Sequence, residues 1–108
     1  MTDLEIDRSL ALAIGWPEHL IDAGRYYSTD KVALCLRPKV YPHVDVWKFF
    51  DYRDWNVIGP IAARYDCFPL RLRGGAWEAI SRGKYKLGFF NADTPQKAIA
   101  LAVIGALK

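Results

Sequence analysis

The sequence predicts a single α+β domain over residues 1–108: a small three- or four-stranded antiparallel sheet with N-terminal, central and C-terminal helices packed in layers. Three observations carry this. The segment LRLR, then Gly74-Gly75, then AWEAI reads as a β-hairpin. Strong helix signals flank it, with Thr2 opening the chain and Thr94-Pro95 opening its last apolar run. Finally, 52% of the 108 residues are hydrophobic and the net charge is only +3, a composition that folds rather than stays disordered.

Taken in order, Thr2 with Glu5 three residues on fits a capping box, and a helix is expected from about Thr2 to Ile14. Ile6 and Leu10 share one of its faces at i, i+4 spacing. Gly15-Trp16-Pro17 stops it. Residues 17–49 carry the weakest pattern. Ser28-Thr29-Asp30 is a cap-like cluster, and VALCL (32–36) is compatible with a short helix or a buried strand. Pro38 and Pro42 interrupt the next stretch. Val44 to Phe50 alternates in part and is rich in β-branched and aromatic residues, as in a short strand; a long ordered loop is the competing reading.

Asp51 or Asp54 opens the next helix, in which Trp55, Ile58, Ala62 and Tyr65 recur at helical spacing. Pro60 either kinks it or begins its regular part. A two-residue Gly74-Gly75 turn would set Arg73 opposite Ala76, Leu72 opposite Trp77, Arg71 opposite Glu78 and Leu70 opposite Ala79. Phe68, Leu70, Leu72, Trp77 and Ala79 then share an apolar face. A third strand is expected over Lys84 to Phe90. From Ala98 to Leu107 every residue is apolar or Gly, so that helix is buried on more than one side, centrally or against another chain. A homodimer through 98–107 is the second form of this expectation.

Several functions are excluded or disfavoured. No apolar run reaches the ~18 residues of a membrane span, and the acidic MTDLEIDRSL start is unlike a signal peptide. Cys35 and Cys67 sit among apolar neighbours and read as reduced, buried thiols of a cytoplasmic protein. No G-x-S-x-G, Walker loop or GxGxxG is present, so no catalytic residue is selected and a non-enzyme is expected. His43 and Asp45, with Asp51 and Asp54 beyond, match no metal-ligand spacing, and neither metal nor cofactor is expected.

Two features point to binding. Between residues 71 and 86, Arg71, Arg73, Arg82, Lys84 and Lys86 stand against one acid, Glu78: a local charge of +4, exceeding that of the whole chain. With Trp77 and Tyr85 interleaved, these cations are candidates for nucleic-acid or other anion binding; the bland alternative is a solvated polar face whose aromatics point into the core. Long Arg stems can lie along such a sheet with their heads in water. Trp16, Tyr26, Tyr27, Trp47 and Trp55, at element ends or in loops, are candidates for a protein interface.

The blocks LALAIGW (10–16), FDYRDWNVIGPIAARYDCFP (50–69) and ADTPQKAIALAVIGAL (92–107) resemble small bacteriophage and prophage proteins carrying the phage ABA-sandwich domain. The resemblance spans both ends and the middle of the chain. It implies a layered α+β fold and a phage origin, and it carries over no functional residue. The expected function is therefore a non-enzymatic, phage-encoded accessory protein in the host cytoplasm that binds a host protein or complex, with inhibition of a bacterial defence system, as anti-CRISPR proteins do, as one version. A DNA mimic is disfavoured because the chain is slightly basic. The alternative is a nucleic-acid or nucleotide binder using the basic sheet face.

Overall fold

The structure is a computed structural model and describes residues 2–22, 34–36, 48–81 and 90–107. It is α+β, and the described residues form three α-helices and two three-stranded antiparallel sheets, β1-β2-β3 and β4-β5-β6. The chain divides into two compact units, Met1–Asp51 and Tyr52–Lys108. The one sheet expected from sequence is thus two, one in each unit.

In the first unit, helix α1 spans Asp3–Ala13. Thr2 caps it: its hydroxyl oxygen accepts the Glu5 N–H at 3.2 Å and the hydroxyl lies 3.1 Å from Glu5 Oε1. Asp3 and Glu5 place negative charge in the first turn, where the helix dipole favours it. The stop is a Schellman motif. Gly15 takes φ +107°, its N–H donates to the Leu12 carbonyl, and the Trp16 N–H donates to the Ala11 carbonyl. Ile6, Leu10 and Ala11 are fully buried, whereas Leu12 is 41% exposed, so the i, i+4 pair marks the inward face. A 3-10 turn over Glu18–Leu20 leads into β1 (Ile21–Asp22). Arg8 donates to Glu18 Oε1 at 2.8 Å across the surface. Strand β2 is Leu34–Leu36 and β3 is Lys48–Phe50, so the last three residues of VALCL and of 44–50 are strand; residues 32, 33 and 44–47 lie outside the described residues. Ile21 pairs with Leu36, and Leu34 with Phe50.

In the second unit, Asp54 is the N-cap of α2 (Trp55–Arg64), its Oδ1 accepting the Asn56 N–H at 2.9 Å. The helix runs through Pro60 and ends at Tyr65. The ring removes a donor to the Asn56 carbonyl, but Asn56 and Pro60 are both exposed and water can take the donor's place. Ile58, Ile61 and Tyr65 form the buried stripe, and Trp55 at the start of the helix is 49% exposed. Asp66 then turns the chain with φ +52°, passing it into β4 (Cys67–Arg71). Strand β5 is Trp77–Ser81 and β6 is Asn91–Ala92. Of the expected third strand, residues 84–89 lie outside the described residues. Phe90 is not strand, and it is Asn91–Ala92 that pairs with β5.

The hairpin register differs from the sequence expectation by one residue. Arg71 pairs with Trp77, Leu70 with Glu78, Pro69 with Ala79, Phe68 with Ile80 and Cys67 with Ser81. The cause is the turn. Leu72 donates its N–H to the Ala76 carbonyl at 2.8 Å, leaving three residues, Arg73-Gly74-Gly75, in the loop rather than two. Both glycines have positive φ, +91° and +88°, which suits a turn followed by a left-handed residue as readily as a two-residue turn. The expected Arg71–Glu78 cross-strand charge pair is therefore not formed. Because the side-chain period is two, one added loop residue sets β4 over relative to β5 by a whole face.

Thr94 caps α3 (Pro95–Leu107): its hydroxyl oxygen accepts the Lys97 N–H at 3.2 Å and its carbonyl the Ala98 N–H at 3.1 Å. Gln96 Nε2 donates to the Arg53 carbonyl at 3.3 Å, fixing the start of α3 beside the approach to α2. The helix packs against all three strands of its sheet and against α2. Ala98, Ile99, Ala100, Ala102, Val103 and Ile104 are buried, so the apolar segment takes the central position. Among its described residues, what 98–107 still offers to a second copy is confined to Leu101, Gly105, Ala106 and Leu107. Gly105 receives the Phe90 ring: a Cβ there would lie 2.8 Å from Phe90 Cε2. A mid-helix glycine costs up to about 1 kcal/mol against alanine, and this contact offsets part of that.

Candidate functional site

The corrected register sorts the second sheet into two chemically distinct faces. Side chains of directly paired residues lie on the same face, and alternate residues along a strand share it. Cys67, Pro69 and Arg71 therefore stand on the same side as Ala79 and Trp77. Cys67 and Ala79 are buried on this side, the one that α3 covers. Phe68, Leu70 and Leu72 stand on the other side with Ile80, Glu78 and Ala76. There Phe68 is 45% and Leu70 47% exposed, and Leu72, Ala76, Glu78 and Ile80 are half-buried. The face expected to hold the core is split: its β4 members Phe68, Leu70 and Leu72 are turned away from the helix, while its β5 members Trp77 and Ala79 stand on the helix side.

Small side chains on the inner face are what let the helix approach. Cys67, Pro69 and Ala79 offer little bulk, so an alanine-rich helix packs directly onto the strands. The larger Phe68 and Leu70 fall outward by the same alternation. Pro69 lacks an N–H, which suits β4 as a terminal strand in the order β4-β5-β6.

The basic candidates are partly placed. Arg71 and Arg73 are both exposed, at the hairpin tip. The Arg71 guanidinium lies 6.0 Å from the Trp77 ring centroid, so its charge is held over the indole rather than against Glu78. Trp77 is half-buried and belongs to the α3 side, which leaves little of its face for stacking a base. Arg82, Lys84, Lys86 and Tyr85 lie outside the described residues. Of the aromatic interface candidates, Trp55 is exposed and Trp16 half-buried, while Tyr26, Tyr27 and Trp47 lie outside the described residues. The sequence reading missed Phe68 and Leu70 as surface residues. The signal that finds them is the alternation FPLRL read against a three-residue loop instead of a two-residue one.

His43 and Asp45 lie outside the described residues, and Asp54 serves as a helix cap. No three His, Cys, Asp or Glu come together among the described residues. Nor does any helix there have the length and apolarity to cross a membrane. Cys67 is a free, buried thiol. Burial, with the neighbouring Asp66 carboxylate adding to it, pushes its pKa from 9.0 up to about 11. At neutral pH it is a protonated packing residue, unlike an activated nucleophile.

That shift has a measurable sign. The folded state holds the Cys67 proton more tightly than the unfolded chain does. The stabilisation is complete below pH 9 and is lost as pH rises from 9 towards 11. Urea unfolding at pH 8 and pH 11 should show the stability gap between the native chain and Cys67→Ala narrowing by about 2 kcal/mol. A gap independent of pH would mean that the thiol titrates alike in both states.

No protein-family model, curated protein or solved structure matches the chain. Its class rests on its own architecture: an α+β protein whose second sheet is covered by helix on one face and shows Phe68 and Leu70 to solvent on the other.

Proposed function

We propose that this chain is a non-enzymatic, phage-encoded accessory protein that acts in the host cytoplasm by binding a host protein through the outer face of β4 and β5. The single observation that carries this reading is the exposure of Phe68 and Leu70 side by side on one sheet face, with Ile80 and Leu72 adjoining. Scattered exposed apolar residues are ordinary on protein surfaces, but contiguous ones on a regular strand face are the usual centre of a protein contact. The phage element rests on the ABA-sandwich resemblance of residues 10–16, 50–69 and 92–107. Inhibition of a host defence complex is one concrete form of such binding. The nucleic-acid alternative draws on Arg71 and Arg73 at the tip, but the position of Trp77 on the helix-covered side disfavours base stacking.

A photo-crosslinking amino acid placed at position 70 tests the reading in lysate of the bacterial host. The expected result is a discrete protein adduct that excess native protein competes away and Leu70→Asp does not. The same crosslinker at Leu12, exposed on α1 in the other unit, should give no such adduct. A charge introduced into the apolar centre of an interface typically weakens binding by about thirtyfold or more. Adducts to nucleic acid alone, or protein adducts that Leu70→Asp competes equally well, would overturn it.

A further inference from the structure

We infer that the occupant of the β4–β5 outer face is a protein segment that sets an arginine or lysine among apolar residues, its cation meeting Glu78. This rests on the protein-binding reading above and names the chemistry of the partner. Leu70 and Glu78 are direct cross-strand partners. Their Cβ atoms therefore lie about 5 Å apart on the same face. Ile80 follows Glu78 along β5 on that side, and Phe68 and Leu72 flank Leu70 along the other strand. Glu78 is already half-buried, and among the described residues no cation pairs with it. Any surface that covers Leu70 covers this carboxylate as well.

The sign of the charge on the face decides what can do so. Of the β4 and β5 residues on this side, Glu78 alone is ionised at neutral pH. Arg71 stands with Trp77 on the helix side, its guanidinium 6.0 Å from the indole centroid. Arg73 lies in the loop, three residues beyond Leu70. That is about 10 Å of extended chain, more than the screening length of about 8 Å at physiological salt. A wholly apolar partner would take the Glu78 carboxylate out of water with nothing to pair it, a penalty that outweighs the contact with two half-exposed side chains. An acidic partner adds repulsion. A second copy docked by this same face about a two-fold axis sets its own Glu78 against the first. A basic side chain avoids both costs: its methylene stem lies along Leu70 and Ile80 while its head donates to the carboxylate. Arginine suits this better than lysine, because its planar fork meets both carboxylate oxygens.

The test is selection of random twelve-residue peptides displayed on phage against the native protein, with counter-selection on Leu70→Ser, a neutral change that does not itself select on charge. The expected result is enrichment of Arg or Lys bracketed by Leu, Ile, Phe or Val. A synthetic winner should bind Glu78→Gln at least about tenfold more weakly than the native protein, and Glu78→Arg more weakly still. Exchanging the winner's cation for Glu should restore binding to Glu78→Arg, which a loss of fold in that variant would not allow. Winners without a cation, apolar or acidic, that are lost on Leu70→Ser but not weakened by Glu78→Gln would overturn this inference and leave the protein-binding reading standing. A selection that recovers nothing, or only peptides that bind Leu70→Ser as well as the native protein, would overturn both. Self-association in light scattering, abolished by Leu70→Ser, would identify a second copy as the occupant and equally overturn the basic segment.

Discussion

Replacing Ile99 by alanine should lower the stability of the unit formed by Tyr52–Lys108 by about 3 kcal/mol, within the roughly 2–5 kcal/mol typical of buried Ile→Ala changes. Ile99 is fully buried in α3, which packs on β4, β5 and β6 and against α2. The substitution removes three carbon atoms' worth of apolar burial and leaves a cavity that the surrounding elements only partly close. A stability loss of this size is a large share of what a small domain possesses. Leu101, half-buried on the same helix, should cost about 1 kcal/mol when cut to alanine. Hydrogen exchange of the α3 amides reads the difference: about a hundredfold faster for Ile99→Ala, given about 1.4 kcal/mol per factor of ten. Equal effects at 99 and 101 would show that α3 is not seated as described.

A matching contrast belongs to the first unit. Leu10→Ala should destabilise it by about 3 kcal/mol and Leu12→Ala by less than about 1 kcal/mol. Leu10 is fully buried and lies one helical turn from Ile6, also fully buried, whereas Leu12 is 41% exposed. The two variants delete the same atoms two residues apart, so propensity and unfolded-state effects cancel in the comparison. Urea titrations followed by circular dichroism measure both. Comparable losses would place the buried face of α1 elsewhere.

These contrasts show which parts of the molecule were legible in the sequence. The ends of α1 were, because capping is local chemistry: Thr2 and Glu5 meet within one turn, and Gly15 adopts a positive φ that other residues rarely take. The start of α3 at Thr94-Pro95 follows the same logic, whereas that of α2 was left between Asp51 and Asp54 and is settled by the Asp54 cap. The central placement of α3 was legible as one of two alternatives, since a helix without a polar face must be covered by something. The packing of α3 on its own sheet and on α2 covers it.

The hairpin was legible in kind and misread in register. Two adjacent glycines accept positive φ in more than one turn type, and the Arg71–Glu78 pair that favoured the two-residue turn is worth at most about 1 kcal/mol at the surface. Packing of the second unit outweighs it. With Arg73 in the loop, the smaller Cys67, Pro69 and Ala79 face the helix and Phe68 and Leu70 turn outward. The candidate site exists only because of that choice, and for this reason the sequence pointed instead to the cations and to tryptophans at element ends.

The sequence by itself determined the α+β class, the capped starts of α1 and α3, the Gly15 stop and the presence of a hairpin at Gly74-Gly75. Each is set by interactions within a few residues, where residue type and spacing suffice. Only the tertiary structure decided the division into two units, the strand character of Leu34–Leu36 and the face of the second sheet that meets solvent. Those depend on which of several nearly equal local arrangements lets a distant helix pack closely, and that energy is spread over many contacts no short stretch of sequence contains.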